Sequence, residues 1–178
     1  MSVLEAAITG FIDRKLSQAP ATPAQPVSDM RSLGKGLLAG LIAGVVATAA
    51  KTLVDQVYPP RVHGEAEPPE VLAEKVAGHD LAPTTRHMAS QSIHWVFGMT
   101  AGAAYGALAE YYPAATSRDG MNFGMTLMAL THEGALPALG LSAAPGAQTT
   151  REKSSEMASH VVYGLVAETT RRLVRKML

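Results

Sequence analysis

Six ionisable side chains sit where an apolar chain has least use for them. His94, His132 and His160 fall inside long apolar stretches, and Lys51, Glu133 and Glu156 have comparable settings. Glu156 and His160 are one helical turn apart and so share a face. Three chemistries suit such a set. Neutral imidazoles with a carboxylate can hold a divalent metal such as zinc, or copper if Met88 or Met157 adds a thioether. Two histidines on different helices can ligate a haem iron. A lysine, histidine and glutamate within reach can pass protons, because imidazole titrates near neutral pH. A fourth reading asks for no chemistry, only hydrogen bonds across helices. The pattern demands no cofactor, and a metal at His94, His132 and His160 stays open. His63, His79 and His87 lie outside the apolar stretches and read as solvated loop residues.

Templates of soluble enzymes are missing. The chain has no GxSxG, no phosphate-cradling glycine loop and no HExxH. His132-Glu133 starts like a zincin motif, but Leu136 stands where its second histidine belongs. The absence of cysteine removes disulfides, thiol catalysis and thiolate metal sites. A formal net charge of zero gives nucleic acid nothing to bind. The expectation is a non-enzymatic protein.

The elements that position these residues are apolar helices. Met88–Ala109 carries no Asp, Glu, Lys or Arg over 22 residues, roughly 33 Å at the helical rise and enough to cross a bilayer core. Gly98, Gly102 and Gly106 recur along it every fourth residue, and Gly36, Gly40 and Gly44 repeat that stripe in the block Leu33–Val57. Bare backbone of this kind lets helices approach where lipid gives no hydrophobic drive, so the two blocks read as packed neighbours. Lys35 and Lys51 can snorkel from the ends of the shorter block. Met121–Leu141, broken by Pro137, reads as a third span with a kink, and Ser154–Val174 as a fourth. A short polar helix is expected from Pro69 to Ala77, closed by Gly78.

The expected fold class is therefore all-α: a polytopic membrane protein whose four transmembrane helices, about 33–57, 88–112, 120–141 and 154–174, pack as a small bundle within a domain over 32–178. Ahead of it, 1–18 reads as an amphipathic helix and 19–31 as a Pro/Ala linker. Met1–Leu16 breaks its apolar residues with Glu5, Asp13, Arg14 and Lys15, unlike a signal peptide. Nine Lys and Arg fall on the side that holds both ends and five on the other, which puts both termini in the cytoplasm. On that topology Lys51, His94, His132, Glu133, Glu156 and His160 share one layer in the outer half of the membrane. Glu110 and Glu168 lie at the inner ends of their helices. The partners expected are lipid and, through the N-terminal helix, other membrane-protein subunits or a second copy.

The chain resembles the YagU family of small bacterial inner-membrane proteins. The resemblance is carried by GLIAGVVATAAK (Gly40–Lys51), YPPR (Tyr58–Arg61), His94 with Tyr105 and Glu110, and AEYYP (Ala109–Pro113). It continues through His132, Pro137, Gly140-Leu141, Ser155-Glu156, His160, Glu168 and Arg171-Arg172. It implies an inner-membrane location and an association with acid tolerance, with Lys51, Glu110, Glu156, Glu168 and the three membrane histidines at matching positions. The stretch before Arg31 has no counterpart there, and the acidic loop is shorter than the resemblance leads one to expect. A metal- or haem-binding protein and an accessory subunit of a larger membrane complex are the alternatives.

Overall fold

The structure, a computed structural model, describes residues 31–61 and 65–178. The expected amphipathic helix, the linker as far as Met30, and His63 lie outside them.

Helix α1, Leu33–Val57, is opened by Ser32, whose Oγ accepts from the Lys35 amide at 3.3 Å. Its composition is sorted in the opposite sense to that of a soluble helix. Gly36, Ala39, Gly40, Ala43, Gly44, Ala47 and Thr48 are buried, while Leu37, Leu38, Leu41, Ile42, Val45 and Val46 face outward. Small residues inward and bulky ones outward is the arrangement that suits lipid.

Helix α2, Pro68–Ala77, begins on proline and ends at Gly78, whose φ of 74° is the left-handed cap only glycine adopts cheaply. It lies along α3, Pro83–Tyr111. His87, expected in a loop, is instead an exposed residue of the first turns of α3. Helix α3 crosses α1 through its glycines. A Cβ at Gly102 would strike Gly44 Cα and lie 2.6 Å from the Gly40 carbonyl oxygen, and one at Gly106 would strike the Gly36 carbonyl. Backbone thus meets backbone at Gly40, Gly44, Gly102 and Gly106, while Gly98 faces the Thr48 side chain.

A 3-10 stretch, Pro113–Gly120, turns the chain through Arg118 and Asp119, both at positive φ, into α4, Met121–Met128. Helix α4 crosses α6, Thr150–Met177, at a second glycine junction, where a Cβ on Gly164 would strike the Gly120 carbonyl and one on Gly124 the His160 carbonyl. Between α4 and the single turn α5, Leu136–Ala138, the backbone winds as a π-helix over Ala129–Ala135. Pro137 explains it. In the wider winding the Leu136 amide donates to the Thr131 carbonyl, and the next donor should come from residue 137, which has no N–H. The His132 carbonyl so freed accepts from Gln148 Nε2 at 3.0 Å. Replacing Gln148 with alanine strips that carbonyl and is expected to destabilise the fold by about 1–3 kcal/mol, readable as a lowered melting temperature in detergent.

Helix α1 packs most extensively on α3 and α6. The fold is all-helical among the described residues. By length and composition α1 alone among them qualifies to cross a membrane, at a mean hydropathy of 2.0. The four-span expectation is thus met by composition at one helix. Serines, threonines and His94 dilute α3, while α6 turns Glu156 and Glu168 inward and leaves Arg151, Arg172 and Lys176 exposed.

Candidate functional site

The inward stripe of α6 runs Ser155, Glu156, Ser159, His160, Tyr163, Gly164, Ala167 and Glu168, all buried. Its first half forms the floor of a cavity of about 190 Å3 between α1, α3, the π segment and α6, roofed by the start of α2. The walls are apolar, from Leu72, Ile93, Phe97, Leu127 and Leu136. The floor is polar, so the space has a hydrocarbon side and an ionisable side.

Glu156 stands at the centre of that floor with a nearly buried carboxylate. Its Oε2 lies 3.4 Å from Lys51 Nζ, 3.3 Å from His132 Nε2 and 3.6 Å from His160 Nδ1. Arg61 Nη1 stands 4.0 Å from Oε1. Lys51 also donates to Asp55 at 2.8 Å and to Ser159 Oγ at 3.0 Å. The two imidazole rings meet edge to face, 5.0 Å between centroids. His160 Nδ1 lies 2.8 Å from the Glu156 backbone carbonyl, which can only accept, so this nitrogen carries the proton and Nε2 keeps its lone pair. His94 lines the same cavity from α3, and its Nε2 faces Thr52 Oγ1 at 3.3 Å. At the lip, desolvation and then Glu70 lift the Glu67 carboxyl above its ordinary pKa, against Arg61.

Lys51, His94, His132, Glu156 and His160 therefore share one cavity. Glu133 does not. Neighbouring residues on a helix diverge by about 100°, so with His132 turned inward Glu133 faces away from the cavity. Met88 and Met157 are exposed, at 65% and 47%, and neither lines the cavity, which removes them as copper ligands. Haem fits poorly too, because the space is smaller than the ~300–1,000 Å3 of ligand and cofactor pockets.

Sequence reasoning noted Tyr58–Arg61 as a motif of the resemblance but did not assign it to the site that it closes. Tyr58–Arg61 folds onto the start of α6, where Ser155 Oγ donates to the Tyr58 carbonyl and Arg151 Nε to the Pro59 carbonyl at 3.0 Å. Arg61 pairs with Glu152 at 2.9 Å. Two prolines between a tyrosine and an arginine form a stiff clasp, and that stiffness was the available signal.

Glu110 and Glu168 lie at the far end. Glu110 accepts from the Ser32 amide at 3.0 Å and from Arg175. Glu168, fully buried, accepts from Tyr105 Oη at 2.7 Å, from Arg171 at 2.7 Å and 2.8 Å, and from Arg172. Tyr163 Oη donates to the Gly98 carbonyl at 2.6 Å. Both tyrosine hydroxyls are thus tethered and serve packing.

A family model described as a protein of unknown function (DUF1440) matches residues 45–169, a stretch that holds every residue of the cavity floor. No curated protein and no solved structure matches the chain.

Proposed function

The chain belongs to the DUF1440 family, the domain of the YagU proteins, and from that membership we propose a small non-enzymatic protein of the bacterial inner membrane that serves acid or envelope tolerance through its polar cavity. In this reading α1, α3, the α4–α5 segment and α6 are the four spans, both termini are cytoplasmic, and the cavity opens in the outer half of the bilayer. Its partners are lipid and, through residues 1–18, other membrane-protein subunits or a second copy.

One observation carries the reading. The described fold turns large aliphatic side chains outward, among them Leu37, Leu41, Val45, Leu130 and Leu173, and gathers Lys51, Glu156 and His160 inside. Water would reward the reverse. An ionisable group at a helix centre costs about 2.5–3.5 kcal/mol on insertion, so a shared cavity of such groups points to use rather than accident.

In a strain lacking its own copy, the intact chain is expected to restore survival at low pH. His94→Ala and His160→Ala are expected to remain in the membrane after alkaline extraction and to restore none. Survival at the level of the intact chain in both variants would reduce the cavity to a packing feature. Release of the intact chain by alkaline extraction would remove the membrane setting itself.

A further inference from the structure

The cavity floor has a second property, and its argument leans on the proposed function only for the membrane setting. One donor atom each from His132, Glu156 and His160 lies within 4.8 Å of the other two. That spacing needs only a small contraction to bring all three onto one ion. The His160 ring is already held, since its Nδ1–H is spent on the Glu156 backbone carbonyl at 2.8 Å, and a hydrogen bond on one nitrogen that leaves the other as the ligand is how metal-binding imidazoles are held.

Charge gives an independent argument. Lys51 and Arg61 are the cations of the hydrogen-bonded network, and Asp55, Glu152 and Glu156 are its carboxylates. With neutral imidazoles and ionised carboxylates, the negative charges outnumber the positive by one, so Lys51 and Arg61 are each shared between two carboxylates in a largely buried place. The consequence is visible at Asp55, whose Oδ2 accepts from Lys51 while its buried Oδ1, on the cavity wall, has no hydrogen-bond partner among the described residues. An uncompensated buried charge is costly, and a bound cation removes the cost.

We propose that His132, Glu156 and His160 form a binding site for a divalent transition-metal ion, zinc by its ligand set, with the cavity side left open. Two imidazoles and one carboxylate with a vacant position is an arrangement zinc accepts. Lys51 is the built-in competitor. Its ammonium lies against the Glu156 oxygen that the ion would take, and Asp55 and Ser159 hold it when that oxygen is taken.

The full chain, purified in detergent and stripped with a chelator, is to be titrated with Zn2+ by calorimetry and with Co2+ by visible absorption. One equivalent is expected, with a rise in melting temperature and the cobalt bands of a nitrogen–oxygen site. His132→Ala and Glu156→Gln should each weaken binding at least about tenfold. Lys51→Met, which removes the competitor without touching a ligand, should tighten it, while His79→Ala on the exposed surface leaves it unchanged. Absence of saturable binding by the folded chain overturns the site. So does equal affinity in the intact chain, His132→Ala and Lys51→Met, each first shown to be folded by its melting temperature. Survival at low pH scored on the same variants separates the two proposals. A zinc-free chain that still protects overturns the metal site alone, and a zinc-binding chain that never protects overturns the stress role alone.

Discussion

Leucine in place of Gly102 is expected to force α1 and α3 apart and to leave little monodisperse protein in detergent. The glycine faces Gly44 Cα and the Gly40 carbonyl, so even a methyl group meets rigid backbone rather than a side chain that can rotate away. Overpacking a core costs up to about 3 kcal/mol where neighbours can relax, and here neither neighbour can. Gly40→Leu should behave alike from the other side, since its Cβ would strike the Gly102 carbonyl. Gly34 is the control: among the described residues nothing lies within 4 Å of its Cβ, and Gly34→Ala should leave the elution profile and melting temperature unchanged or slightly improved. Equal behaviour of Gly102→Leu and Gly34→Ala would refute the backbone crossing.

The second large effect belongs to Glu168. Its carboxylate is fully buried and takes hydrogen bonds from Tyr105, Arg171 and Arg172. Glu168→Ala leaves the Arg171 guanidinium, 11% exposed, facing an empty space. Breaking a buried ion pair from one side costs about 3–5 kcal/mol, because the abandoned charge stays desolvated. Tyr105→Phe removes a single bond and keeps the stacking on Phe123 at 4.1 Å, so it should cost only about 1 kcal/mol. Arg172 is half exposed and also holds Asp119, so Arg172→Ala should cost less than Glu168→Ala. Denaturation midpoints of the three variants in one detergent give the ranking, and a Glu168→Ala protein as stable as Tyr105→Phe would contradict it.

How much of this could be read from the chain itself depends on the range of each signal. Glycines at four-residue intervals mark one face of a helix wherever that helix ends up, so the stripes of α1 and α3 were legible. The Glu156–His160 pair was legible for the same reason. The α4–α6 junction offered the same signal in Gly120 and Gly124, but its partner, Gly164, stands alone in sequence and marks no stripe. Arg61 reaches Glu156 and Glu152 only because Tyr58–Arg61 folds back onto α6, and no local pattern encodes a loop's destination. Glu133 was grouped with His132 by adjacency, although adjacent helical residues point apart. Met88 and Met157 were offered as thioethers for copper, and their outward bearing on their helices decided otherwise. Among the described residues α1 alone qualifies as a span by composition, because serines, threonines and His94 dilute α3 and charges both buried and exposed dilute α6.

The stretch Ala129–Ala135 carries one residue more than an ordinary helix of its height would hold. That surplus fixes the bearing of His132. Excising Gly134 would let the winding tighten to an ordinary helix while the flanking α4 and α5 keep their places, and would re-aim the residues between them, the His132 imidazole included, relative to Glu156 without altering a single side chain of the floor. A length change of one amino acid in this segment is therefore equivalent to a substitution in the cavity, and alignments among family members that place a gap here would mark chains whose floor is built differently.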